Sequence, residues 1–116
     1  MKKLLVVLTV IGIVIGSLAT FSLADCKARW VSHHWENGPY ISNRYNGSYY
    51  YDIGWCEVHP DKGYKCQVKV YLKRNGKWLA VKCTNVASNT TVTCYSAQLK
   101  GNGSTNARAT ITEYRV

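Results

Sequence analysis

Beyond residue 24 the sequence has no phenylalanine, no helical periodicity, no CxxC pair and few acids. The first absence hands every aromatic position there to tyrosine or tryptophan, nine and four of them. These side chains pair an apolar body with a polar tip, which suits half-exposed sheet faces and binding surfaces. The second excludes a helical domain. The third removes the usual thiol-redox spacing, so a structural role for the cysteines outweighs a catalytic or metal-binding one. No serine sits in a nucleophile elbow and no glycine-rich phosphate loop is present. Among the acids, Asp52, Glu57 and Asp61 are not spaced to place two carboxyl groups across one bond, as a glycosidase requires.

The one grouping with metal-ligand or acid–base character is His33-His34-Trp35-Glu36, with His59 and Asp61 elsewhere. Adjacent histidines on a strand point to opposite faces, so the expectation is two solvent-exposed histidines. No catalytic residue, metal or cofactor is assigned, and the chain does not read as an enzyme.

The N-terminus carries an export signal. Lys2 and Lys3 form a charged start, residues 4–15 are apolar, and Ser22-Leu23-Ala24 offers small residues for cleavage. Ser17-Leu18-Ala19 is a second site, but using it leaves Phe21 and Leu23 with nothing to bury them. The reading is therefore a signal peptide over residues 1–24 and a secreted domain over residues 25–116. If the leader is not cleaved, its apolar stretch is nearly long enough to anchor the protein in a membrane. Asp25 directly before Cys26 argues against a lipoprotein.

A domain of this size has a modest core and benefits from covalent staples. All five cysteines, Cys26, Cys56, Cys66, Cys83 and Cys94, fall in the exported part, where disulfides form. Removing Lys2 and Lys3 leaves 13 basic against 6 acidic side chains, a formal +7. That charge favours an anionic partner such as an envelope polymer, lipid headgroups, nucleic acid or an acidic protein surface, with solubility alone as the plain alternative.

Residues 66–83 encode a β-hairpin: the sequence alternates, turns at Asn75-Gly76 and ends in a cysteine on each side. Asn-Gly tolerates the positive φ angles of a type I′ turn, and pairing Arg74 with Lys77 fixes the register. One face then holds Cys66, Val68, Val70 and Leu72 opposite Leu79, Val81 and Cys83, which reads as core. The other holds Gln67, Lys69, Tyr71 and Lys73 opposite Trp78, Ala80, Lys82 and Thr84, which reads as wet and basic.

Upstream, residues 28–35 form a short strand, and the Asn-, Gly- and Pro-rich residues 36–48 read as a loop with a tight turn at Asn46-Gly47. Residues 49–58 read as a strand and residues 59–63 as a turn. A hairpin centred on Asp61 places Cys56 opposite Cys66. A turn at Ser88-Asn89 likewise places Cys83 opposite Cys94, so two local disulfides are predicted, with Cys66–Cys83 as their competitor. Cys26 is left over: it stays free, links two chains or displaces one of these partners. Asp52 shares a face with Cys56 and needs a partner if buried, either Arg44 or a backbone amide. A last hairpin joins residues 91–99 to 107–116. The Asn-x-Ser/Thr triplets at Asn46, Asn89 and Asn102 read as turn chemistry behind a bacterial-type leader.

Together these give an all-β fold, a small disulfide-stabilised antiparallel β-sandwich or barrel built as a meander of five to seven strands. The candidate binding surface is the outer face of the central hairpin, with Lys69, Lys73, Arg74, Lys77 and Lys82 around Tyr71 and Trp78. Cations there hold anionic groups while the rings stack on sugars, bases or lipid interfaces. The competing account is edge protection by lysines around a packed Tyr71–Trp78 pair. The leading function is therefore a secreted cationic binding protein, of the kind an antibacterial protein would be, acting on an anionic envelope polymer or membrane surface. The alternatives are an inhibitor that inserts the loop 59–63 into a protein target and, least favoured, a hydrolase using His33 or His34.

Overall fold

The computed structural model describes residues 28–116, so the expected leader, its expected cleavage site and Cys26 lie outside the described residues. The chain forms β1 (Arg29–Val31), β2 (His34–Tyr45), β3 (Tyr50–Pro60), β4 (Tyr64–Arg74), β5 (Lys77–Val86), β6 (Val92–Tyr95), β7 (Leu99–Lys100) and β8 (Asn106–Arg115). One antiparallel sheet runs β1-β2-β3-β6, with β7 continuing beside β3, and the second runs β5-β4-β8. The all-β expectation holds, and no helix occurs among the described residues.

Strand alternation builds the core between the sheets. Cys56 and Val58 point in from β3, Cys66, Val68, Val70 and Leu72 from β4, Val86 from β5 and Cys94 from β6. Gly54 marks how closely the layers approach: a Cβ there would lie 3.1 Å from Leu72 Cδ2 and 3.2 Å from Val70 Cγ1.

The path between strands is not a meander. The turn after β3 forms as its residues predict, with the Tyr64 amide donating to Asp61 O at 3.0 Å and Gly63 at φ 91°. It nevertheless carries the chain from one sheet to the other, because β3 pairs with β2 and β6 while β4 pairs with β5 and β8. The turn at Ser88-Asn89 crosses back, and the segment between β7 and β8 crosses once more. Cys56 therefore faces Cys94, Cys66 faces Val86, and Cys83 faces Lys69. This corrects both expected local disulfides: neither Cys56–Cys66 nor Cys83–Cys94 is a cross-strand pair, and Cys56, Cys66, Cys83 and Cys94 are all free thiols. The C-terminal hairpin is corrected in the same way, since β6 and β8 belong to different sheets.

Residues 36–48, expected as a loop, are mostly strand. Gly38-Pro39 is absorbed as an irregularity between Asn37 and Tyr40, after which β2 resumes its pairing with β3. Gly38 is required there: its φ is +114°, and a Cβ would lie 3.1 Å from Cys56 Cβ. The turn at Asn46-Gly47 is present, with Asn46 Oδ1 accepting the Ser48 and Tyr49 amides at 3.0 and 3.1 Å.

The central hairpin turns at Asn75-Gly76, with φ of 52° and 75°, and pairs Arg74 with Lys77. Its register then breaks: Leu72 pairs with Leu79 but Val70 pairs with Lys82, leaving an extra residue in β5. Ala80 takes the left-handed conformation, φ 58°, to make this bulge. One inserted residue reverses every side chain beyond it. Val86 joins the core, while Val81 is 51% exposed and Cys83 is exposed as well, opposite to the face assignment made from strict alternation.

Candidate functional site

The outer surface of the second sheet is set by register. From β4 it receives Lys65, Gln67, Lys69, Tyr71 and Lys73. On one side Trp78, Cys83 and Asn85 of β5 lie beside Lys73, Lys69 and Gln67. On the other, Arg108, Thr110, Thr112 and Tyr114 of β8 lie beside Tyr71, Lys69, Gln67 and Lys65. At the end nearest the Asn75-Gly76 turn the Trp78 ring is approached by the Arg108 guanidinium at 4.3 Å and the Lys73 ammonium at 5.4 Å. Tyr71 meets the same indole edge-on, centroids 6.4 Å apart. At the other end of β4, Lys65, Gln67, Asn85, Ala87 and Tyr114 line an open depression of about 450 Å³.

Of the seven residues proposed from sequence, Lys69, Tyr71, Lys73 and Trp78 are brought together on this face. Lys77 lies at the turn, on the Arg74 side of the ribbon. Lys82 is carried by the bulge to the side of Val70. Arg74 turns inward to a structural site. Arg108 is the member that sequence reading missed. Alternation along residues 107–115 groups Arg108 with Thr110, Thr112 and Tyr114, but nothing local says that this strand lies beside β4.

Arg74 Nη2 sits 3.1 Å from Asp52 Oδ2, and its Nη1 donates to Lys100 O at 2.7 Å. Asp52 also accepts from Asn43 Nδ2 and from the Ser104 amide, each at 2.9 Å. Burial alone would raise this carboxyl, but the Asn43, Ser104 and Arg74 hydrogen bonds outweigh it and hold Asp52 below the usual carboxylate range. The backbone amide expected for Asp52 is thus present, whereas Arg44 lies over Tyr95 instead.

The histidine pair splits. His33 is exposed and stacks on Tyr64 with centroids 4.0 Å apart. His34 is buried between two carboxylates, which corrects the expectation of two exposed rings: Nε2 lies 2.7 Å from Glu36 Oε1, and Nδ1 contacts Glu113 Oε2. The His33 amide donates to Glu113 Oε2 at 2.8 Å, and Arg29 Nη2 reaches Glu36 Oε2 at 2.9 Å. Burial would raise Glu113, but the bonds from His34, the His33 amide and Ser32 bring it below its ordinary value. Both imidazole nitrogens are engaged with carboxylates, so this arrangement joins β2 to β8 and offers no open position for a substrate. No group of three or more His, Cys, Asp or Glu side chains among the described residues is arranged to hold a metal ion.

Cys56 and Cys94 are buried and directly opposed, so their thiols are neighbours in the core. That contact, reinforced by burial, pushes Cys56 far above the ordinary thiol range. Burial, with Glu113 nearby, pushes Cys66 up to about 11. Neither is poised as a nucleophile at neutral pH.

No protein-family model, curated protein or solved structure matches the chain.

Proposed function

We propose that this chain is a small exported cationic protein that binds an anionic envelope polymer or membrane surface through the outer face of its second sheet. The observation that carries the reading is the set of cations around Trp78. Arg108 and Lys73 lie over the indole from two different strands, with Tyr71 against its edge. Contacts of this kind order long side chains before any ligand arrives, which lowers the entropy cost of using their charges. Lys65, Lys69 and Lys73 recur at every fourth residue of β4, about 13 Å apart for an extended strand. A row of like charges at regular spacing complements a linear polymer that repeats its own anionic groups. The reading of residues 1–24 as an export leader and the formal +7 of the remainder support an encounter with anionic cell envelopes.

The test is co-sedimentation of residues 25–116 with bacterial envelopes across a salt series. The wild-type protein pellets at low salt and is released as ions screen the contact. A Lys69→Ser, Lys73→Ser, Arg108→Ser variant loses most of that binding and its salt dependence while keeping the wild-type melting temperature. Unchanged binding by this folded variant refutes the proposal. Arg74 is left intact, because its loss would perturb the fold rather than the surface.

A further inference from the structure

The opposite side of the sandwich carries a different chemistry. On the outer surface of the first sheet, register places Trp30 beside Trp35 and Trp35 beside His59. These three rings, with Glu57 and Thr91, line an open depression of about 360 Å³. Trp30 is 64% exposed and stands nearly perpendicular to His59, 85° between planes with centroids 6.3 Å apart. The rings thus form a corner rather than a flat stack. His59 is fixed by a 2.9 Å contact between Nδ1 and Thr91 Oγ1.

The acid in this corner is the unusual member. Glu57 Oε1 accepts from Asn37 Nδ2 at 2.8 Å, and Asn37 is itself held by the Tyr40 hydroxyl, which donates to Asn37 Oδ1 at 2.7 Å. Glu36 and Asp52 are paired with Arg29 and Arg74 and Glu113 contacts His34, whereas Glu57, like Asp61, has no Lys, Arg or His ion-pair partner among the described residues. The chain has 15 lysines and arginines against six acids, so an outward carboxylate beside rings and without a cation stands against the composition.

We infer that this corner binds a small organic ammonium ion of the quaternary, choline type. Ring faces attract a cation through their quadrupoles, methyl groups on nitrogen pack against them, and a carboxylate supplies the opposing charge. A sugar fits less well, because its hydroxyls need several free donors and acceptors. Here Thr91 and Asn37 are already engaged. The site lies on the other sheet from the basic face, so it neither depends on the envelope proposal nor falls with it.

The experiment is an NMR titration of the indole N–H signals of residues 25–116 with choline chloride. Its controls are 3,3-dimethylbutan-1-ol, which has the same shape without the charge, and a chitin oligomer. The expected result is saturable movement of the Trp30 and Trp35 signals with Trp78 unmoved. The neutral alcohol binds at least tenfold more weakly, and Glu57→Gln weakens choline at least tenfold while leaving the Trp55 and Trp78 signals in place. Trp30→Ala, which removes a ring outside the core, gives a second loss of binding in a folded protein. The inference is overturned if choline moves neither signal, if alcohol and choline bind alike, if Glu57→Gln is without effect, or if the sugar moves the same indoles at lower concentration.

Discussion

Replacing Arg74 by methionine isolates the structural role that the fold gives this residue. The substitution keeps an unbranched side chain and removes the guanidinium from Asp52, whose side chain is 4% exposed against 18% for Arg74. Asp52 retains the Asn43 amide and the Ser104 N–H, but it becomes a buried anion without a cation, and Lys100 O loses its 2.7 Å donor. Breaking a fully buried pair from one side costs about 3–5 kcal/mol, and the partial exposure of Arg74 moves the value to the lower end, about 2–3 kcal/mol. For a domain of this size that lowers the melting temperature by roughly 10–20 °C. The pH dependence gives a second check. The hydrogen bonds depress the Asp52 carboxyl in the folded protein, so the stability it contributes is fully present above the ordinary carboxylate pKa and is lost as pH falls through the depressed folded value. Without Arg74, burial is less opposed and that contribution shrinks. The gap between wild type and Arg74→Met is therefore widest at neutral pH and narrows below about pH 4. Thermal melts followed by circular dichroism from pH 7 to pH 2 measure both. A variant melting within 2 °C of wild type at neutral pH, or a gap that does not change with pH, refutes the reasoning.

The bulge predicts a gain: Ala80→Gly removes the steric cost of a left-handed alanine at φ 58° and raises stability by about 0.5–1 kcal/mol in urea unfolding, whereas Ala80→Val lowers it. Among the four described cysteines, iodoacetamide labels exposed Cys83 in the native protein and spares buried Cys56, Cys66 and Cys94, as peptide mass mapping would show. Oxidation by glutathione disulfide joins Cys56 to Cys94 and to neither Cys66 nor Cys83; the loop of about 39 residues that this bond closes corresponds to about 4 kcal/mol by loop-closure entropy, read as a rise in urea midpoint over the Cys56→Ala, Cys94→Ala double variant.

Local chemistry was legible in the sequence, and partnership between strands was not. Asn75-Gly76, Asn46-Gly47 and residues 59–63 all turn where their residue types require. A turn, however, specifies the conformation of three or four residues and not whether the flanking strands hydrogen-bond to each other. After Asp61 and after Ser88 the strands part to opposite layers, where the inward residues of β3 and β4 pack in one core. Both disulfide assignments followed from assuming hairpins at those turns. Ala80 is a different kind of failure: alanine gives no local sign of positive φ, so the bulge that exposes Cys83 and moves Lys82 was invisible to a period-two reading. Lys69, Tyr71, Lys73 and Trp78 share one face because they lie on the turn side of that bulge or on the unbroken strand β4. Arg108 required knowing that β8 lies beside β4.

The polar residues that seemed most available for chemistry are used to join the layers. His34 of β2 meets Glu113 near the end of β8, and Asp52 near the start of β3 meets Arg74 at the end of β4. Each contact spans the two sheets, one at each end of the sandwich, with the valine, leucine and cysteine core between them. Such groups are costly to bury, and His34, Glu113, Asp52 and Arg74 each make more than one bond, although Arg74 Nε is left without a partner, so they specify how the sheets are aligned. What remains outward on β3 and β4 is then free to differ without disturbing the core, because alternation puts the outward and the packing residues on opposite sides of the same strands. That separation explains how one sheet can present a lysine row around Trp78 while the other presents an uncompensated Glu57 among tryptophans. It also means that substitutions at Lys69, Lys73 and Arg108, or at Trp30 and Glu57, test recognition without confounding it with folding.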